Sequence, residues 1–287
     1  MSRKLILFAV LLLFACESGE EFTPENPLDP NNPDYVPPEV TILSPAEGAV
    51  VEESSIIFSW MGNETDMLYR YRLDSVWSDW DLSETITIDY IDEGEHGFAV
   101  QSSYVTGDTS AIESIAFTVD AVEGPALMFY PRRQVTSQGS SVQFQILAEE
   151  VYNVAGAEFT ILFDPTELQI NSAVAGTAFG DYGEVIFITD IDNSSGSLTI
   201  ATAVWGENSP SISGTSDIAL IDLQVIKQGD LTISFDDSGI MKDPENNDIT
   251  INETVAGLVV VEWKKQLIKS QTENLWMSNK TIQIINK

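Results

Sequence analysis

The chain has 287 residues, with 45 Asp and Glu against 13 Lys and Arg, a formal charge of −32. Such a surface repels phosphate backbones and excludes nucleic acid as a partner, while an apolar content of 43% calls for folded cores rather than disorder. One histidine and one cysteine leave little for nucleophilic catalysis or zinc ligation.

The chain opens with two positive residues, Arg3 and Lys4, then ten apolar residues from Leu5 to Phe14, then Ala15-Cys16. Ten residues are about half of what a helix needs to span a bilayer, so the pattern predicts a cleaved signal over residues 1–15. Cys16 is the only cysteine and forms no internal disulfide. The segment resembles a bacterial lipobox. That resemblance implies that Cys16 is acylated, becomes the mature N-terminus and anchors an extracytoplasmic lipoprotein at the outer membrane or cell surface. Each buried CH₂ of the acyl chains would contribute about 0.8 kcal/mol. Residues 16–38 follow as a tether, with four prolines between Thr23 and Pro33. Proline fixes φ and removes donors, so this stretch is expected to be extended and disordered.

Residues 39–120 hold about six short strand-like runs separated by turns, among them 55–60, 68–73, 85–90, 96–101 and 115–120. That spacing predicts a small β-sandwich. Tyr71-Arg72-Leu73-Asp74, Trp77-Ser78-Asp79-Trp80 and Gly94-Glu95-His96-Gly97-Phe98-Ala99-Val100 resemble bacterial fibronectin-III/Ig-like modules of the triple-tyrosine type. Such modules are usually spacers. Trp77 and Trp80 are expected to pack the sandwich, with a ligand-stacking platform as the alternative.

Residues 125–262, beyond the link 121–124, form a second all-β unit. Strands are expected at 126–130, 142–147, 157–163, 184–189, 197–205, 218–226, 231–235 and 257–261, giving a nine-stranded or similar jelly roll. Val154–Leu168 runs from a glycine through an alternating strand into Phe163-Asp164-Pro165-Thr166-Glu167-Leu168. Phe159, Ile161 and Phe163 fall on one face and enter the core, and Asp164-Pro165 starts a turn. Together with Gly214 before 218–226, the strand 229–235 and the Asp/Asn-rich segment 243–248, this order of segments resembles a cohesin domain.

The cohesin resemblance implies a dockerin-like protein partner, met by polar residues that alternate with the core phenylalanines. Those positions match Glu158 and Thr160, with Glu207 at the acidic end of the central strand. A carbohydrate-binding surface, with polysaccharide stacked on Tyr152, Tyr182 and Trp205, is the second reading. A structural surface lipoprotein without a tight ligand is the third.

Residues 263–287 reverse the charge balance, with five lysines and one glutamate. This basic tail either docks on an acidic surface or on lipid head groups, or has no role. His96 has no nucleophile elbow to serve, so the protein is not expected to be an enzyme. Asp190–Gly196 and Asp243–Asp248 begin like calcium loops but lack the glycine and glutamate that such loops require. They read as turns, and no metal or cofactor is implied.

Overall fold

A computed structural model describes residues 24–262. The signal segment, Cys16, the start of the tether and the basic tail lie outside the described residues. Contacts group the chain into two compact units, one of residues up to 47, 58–86 and 97–116, the other of 48–57, 87–96 and 117 onward.

The described part of the tether is not the extended segment expected. Asn26, Asp29 and Asn32 each accept the amide two residues on through their side chains, making successive Asx turns. Asparagine and aspartate thus supply local hydrogen bonds that compete with the extended conformation proline favours. Just beyond, the Tyr104 hydroxyl donates to the Val36 carbonyl and Asn63 Nδ2 to the Pro37 carbonyl.

Eight strands follow where about six were expected: β1 (Val40–Ser44), β2 (Val50–Val51), β3 (Ile56–Gly62), β4 (Leu68–Leu73), β5 (Val76–Trp77), β6 (Thr85–Ile88), β7 (Gly94–Ser103) and β8 (Glu113–Val119). They form a sheet ordered β1-β3-β6 and another ordered β2-β8-β7-β4-β5. Period-two alternation sends Phe58 and Trp60 inward. Phe58 stacks on Phe98 at 4.1 Å, and Trp60 lies 5.7 Å from Tyr71. Trp77 and Trp80 depart from expectation. They lie outside this core, interleaved with cations: the Arg70 guanidinium is 4.7 Å from the Trp77 ring and 4.9 Å from the Trp80 ring, and Arg72 is 4.9 Å from Trp77.

The remaining strands are β9 (Ala126–Tyr130), β10 (Arg133–Ser137), β11 (Ser141–Val154), β12 (Gly156–Phe163), β13 (Leu168–Ala175), β14 (Glu184–Asp192), β15 (Ser197–Trp205), β16 (Ile212–Val225), β17 (Gly229–Phe235), β18 (Ile240–Lys242), β19 (Asp248–Ile249), β20 (Glu253–Val255) and β21 (Gly257–Glu262). One sheet runs β10-β21-β17-β12-β15-β14, with β18 and β19 joined to it through β12, and the other runs β13-β16-β11-β9-β20. Phe129, Phe144, Phe159 and Phe235 meet within one core, with Phe129 to Phe235 at 4.7 Å and Phe159 to Phe235 at 5.7 Å. Phe159, Ile161, Phe163 and Leu168 are buried as the alternation requires. The all-β sandwich expected from the sequence is therefore the fold observed.

β11 extends seven residues beyond the run expected at 142–147, because its register against β16 shifts at three places. Glu150 and Asn153 hold positive φ of 48° and 58° there. Each bulge consumes a residue and resets which face the next side chain meets. One consequence is a buried acid, Glu149, whose Oε1 accepts from Thr215 Oγ1 at 2.8 Å. Glu93 Oε2 accepts the Ala121 amide, with Arg132 Nη1 at 3.9 Å from its other oxygen. Burial pushes both carboxyls up from their ordinary range. The Thr215 bond opposes this at Glu149, and Glu93, Glu150 and Asp120 reinforce it there. At Glu93 the Ala121 amide and Arg132 oppose it.

Candidate functional site

The outward side of β14, β15, β12 and β18 is the surface that stands apart chemically. On β12, Phe159, Ile161 and Phe163 point inward, so Glu158, Thr160 and Leu162 must point outward. The pairing then fixes rows across the sheet. Ile188, Ala201 and Glu158 form one, continued by Ile240 of β18, and Ile186, Ala203 and Gly156 form the next, continued by Lys242. Trp205 stands opposite Glu184 at the end of β15.

Small residues in the middle of these rows leave a groove of about 520 Å³, bordered by Ile186, Ile188, Trp205 and Ile240. Gly156 keeps its base close-packed. A Cβ there would lie 3.1 Å from the Thr202 carbonyl oxygen and 3.2 Å from the Ala203 Cβ. Ile188 is 63% exposed and Trp205 70%. Aliphatic side chains so open, grouped on one face of a strongly acidic protein, mark an interaction surface.

The charge around this groove is negative. Glu158 and Glu184 rise from the sheet, and Asp190 sits opposite Thr199, which shares a hydroxyl contact with Thr160 at 3.1 Å. The one lysine on the rows, Lys242, pairs with Asp248. Two flanking hairpins are closed by aspartates bound to their own turns. Asp192 accepts from the Ser194 hydroxyl and the Ser194 and Ser195 amides, which holds its carboxyl far below the usual range. Asp243 accepts from the Asn247 side chain and amide and is lowered likewise. These are the two segments that begin like calcium loops, and both are turns here. Among the described residues no group of three or more His, Cys, Asp or Glu is placed to hold a metal.

The sequence-derived candidates separate. Glu158 and Thr160 lie on the face, and Trp205 at its end. Glu207 falls in the turn after β15, two residues beyond the strand. Tyr182 precedes β14 and lines a different depression, with Gln145 and Asp217. Tyr152 lies on β11 in the other sheet and is 80% exposed. The three aromatics therefore form no continuous row. His96 donates from Nε2 to the Asp92 carbonyl at 2.8 Å and packs on Phe117 at 5.6 Å. Cys16 lies outside the described residues.

The apolar members of the face, Ile186, Ile188 and Ile240, were not anticipated. The signal for Ile186 and Ile188 was present in Glu184-Val185-Ile186-Phe187-Ile188, where residues of both parities are apolar. A strand with one solvated face alternates instead. The arrangement is suited to burying apolar surface beside positive charge.

A family model described as "Cohesin domain" matches residues 132–261. Among solved structures, a type II cohesin from the cellulosome of Acetivibrio cellulolyticus aligns at 18% identity and a TM-score of 0.42, over 47% of this chain and 94% of its own. A non-cellulosomal cohesin from the archaeon Archaeoglobus fulgidus aligns at 13% and 0.41, over 50% and 96%. The third cohesin of ScaC from Acetivibrio cellulolyticus, solved in complex with the ScaB dockerin, aligns at 18% and 0.42, over 48% and 99%. No curated protein sequence matches the chain.

Proposed function

Taking residues 132–261 as the cohesin domain they match, we propose that this protein is a lipid-anchored, extracytoplasmic binding protein that receives a dockerin-like protein partner on the outer face of β14, β15, β12 and β18. One observation carries the reading. Ile186, Ile188, Ile240 and Trp205 are exposed together around Glu158 on one face of the sheet, which is the layout of an apolar interface centre with one carboxylate set in it. The partner should present aliphatic side chains flanked by lysine or arginine. Its carboxylate-rich surroundings would speed association with such a partner in a salt-dependent manner. The role is binding rather than catalysis. The anchor is the acylated Cys16, which places the domain outside the cytoplasm, with a link to polysaccharide degradation through what the partner carries.

Titration against dockerin-bearing proteins from the same organism's secreted fraction tests the face. Ile188→Asp should weaken binding at least about tenfold with an unchanged melting curve, as a charge placed at an interface centre does. Undiminished affinity for this variant, with retention on a polysaccharide column that Trp205→Ala abolishes, would replace the protein partner by a carbohydrate. For the anchor, Cys16→Ser should move the protein from the detergent phase to the aqueous phase. A variant that still partitions into detergent would remove the lipid from the account.

A further inference from the structure

The outward side of the second sheet carries a depression of about 390 Å³, within the size range of small-ligand clefts. Gln145, Leu147, Asp181, Tyr182, Ser216 and Asp217 are among the residues that line it, and it shares none of its lining with the groove over β12 and β15. Its floor follows from the alternation of β11. Phe144, Ile146 and Ala148 enter the core, so Gln145 and Leu147 point the other way. Across the ladder, β16 sets Asp217 opposite Leu147.

Its wall is the segment 176–183, between β13 and β14, and that segment is pinned along its length. The Gly176 and Ala178 amides donate to the Ile218 and Asp217 carbonyls of β16, each at 3.1 Å. The Thr177 amide and hydroxyl both donate to the Asp217 carboxylate, at 2.9 and 2.6 Å. Phe179 is 1% exposed and belongs to the core. At the far end a Cβ on Gly183 would lie 2.5 Å from the Trp205 carbonyl oxygen, so only glycine lets the backbone pass this close to β15. The Tyr182 amide donates to the Phe179 carbonyl, closing a turn that sends one ring into the core and leaves the other 56% exposed at the depression.

The lining specifies a ligand. Tyr182 and Leu147 offer a ring and an apolar patch. Asp181 and Asp217 accept hydrogen bonds, the Gln145 amide both donates and accepts, and the Ser216 hydroxyl does the same. An anion would meet two carboxylates and is repelled. A pyranose ring matches on both counts. Its C–H face carries slight positive charge and suits the negative face of an aromatic ring. Its rim of hydroxyls donates to carboxylates in charge-assisted bonds and exchanges bonds with an amide. We propose that this depression is a sugar-binding site for an uncharged pyranose unit of a polysaccharide, stacked on Tyr182 and hydrogen-bonded by Asp181, Asp217 and Gln145.

Two features favour binding here. The segment that presents Asp181 and Tyr182 is already held by Asp217, the core and β15, so little ordering remains for a ligand to impose. Asp217 is at once the anchor of that segment and part of the lining, which keeps its carboxylate in a fixed place while each oxygen retains a lone pair for a sugar hydroxyl. Because the depression and the partner groove have separate linings, the proposal stands or falls independently of the protein partner.

Affinity electrophoresis of the full chain tests it, in gels containing galactomannan, glucomannan, β-glucan or arabinoxylan. Migration should slow in at least one of these gels. Tyr182→Ala should raise the dissociation constant at least about tenfold with the melting curve in place. Tyr182→Phe keeps the ring and should stay within about threefold of the parent. Gln145→Ala should weaken retention, and Trp205→Ala should leave it unchanged, because that ring borders the other groove. Retention of an uncharged ligand should also hold from about 0.05 to about 0.5 M salt. Migration that matches a gel without polysaccharide in every case overturns the proposal. So does retention that Tyr182→Ala spares, or that Trp205→Ala abolishes, which would return the sugar to the partner face. Fluorescence titration with choline supplies the remaining arm. Choline binding that Tyr182→Ala removes and salt weakens, without retention in any polysaccharide gel, would assign the depression to an organic cation instead.

Discussion

Trp80 and Trp205 are both exposed, yet they are held differently. In the first unit the Arg70 guanidinium lies 4.9 Å from Trp80 and 4.7 Å from Trp77, and Arg70 is itself bonded to Gln101 from Nε and Nη2. Each of these rings already has a cation over it, and the indoles are part of a finished surface. In the second unit Trp205 is 70% open and borders the groove together with Ile186, Ile188 and Ile240. An exposed aromatic says little about binding by itself. What distinguishes the two is whether the protein has already supplied the partner.

An open face contributes little stability, and the core beneath it contributes much. Phe159 is one residue from Glu158 on β12, 1% exposed and packed on Phe235. Phe159→Ala should cost about 3–5 kcal/mol through the lost transfer energy and the cavity, read by urea denaturation. A loss below about 1 kcal/mol would mean that this side of the sandwich is not the core, and the distinction between face and core would collapse.

The arginine stack sets the next scale. Arg70→Ala removes two ring contacts and the bonds to Gln101, and should cost about 1–2 kcal/mol. Trp205→Ala should leave the melting curve in place. If Arg70→Ala is silent, or Trp205→Ala costs as much, the two tryptophans are equivalent and the contrast drawn from them is wrong.

A buried acid sharpens the comparison by pH. Burial raises the folded-state pKa of Glu149 above its ordinary 4.5. Between the two values the folded protein holds a proton that the unfolded chain has released. Stability from this group is therefore fully present below the ordinary glutamate range and declines as pH rises through the raised value. Glu149→Gln keeps an acceptor for Thr215 and removes the charge. Its melting temperature should exceed that of the parent by a few degrees at pH 8, with the gap closing near pH 4. A gap that does not change with pH would trace the effect to packing.

The parts of the fold that hydrophobic period encodes were legible. β4, β9 and β15 begin and end where their residue pattern says, and the core positions of β12 follow from alternation alone. What escaped has physical reasons. β10 contains a single aliphatic residue, Val135, which is half exposed, and it is a strand because its backbone pairs in parallel with β21. The second half of β11 was hidden by bulges that break the period. The tether was misjudged because asparagine side chains turned it locally. On the face, Glu158 and Thr160 could be placed by counting from the core phenylalanines. Ile240 could not, since it reaches Glu158 only through the pairing of β18 with β12. Trp77 and Trp80 were assigned to the sandwich because no sequence rule says that Arg70 will lie between them.

The smallest stability change and the most discriminating one belong to Glu158. It sits on the central strand of the face, exposed, with Ala201 on one side and Ile240 on the other. Glu158→Ala should alter unfolding free energy by no more than about 0.5 kcal/mol, since nothing buried is left unpaired. Binding separates two roles. A carboxylate that only steers the partner is lost mainly as a slower on-rate, and the difference shrinks as salt is raised. A carboxylate desolvated at the centre of the interface is lost as a faster off-rate that salt does not rescue. Its neighbours are apolar and the nearest lysine, Lys242, is already paired with Asp248, so the off-rate is the expected change. An off-rate equal to that of the parent, alongside a weakened Ile188→Asp variant, would place Glu158 on the rim and move the centre of the interface toward β14.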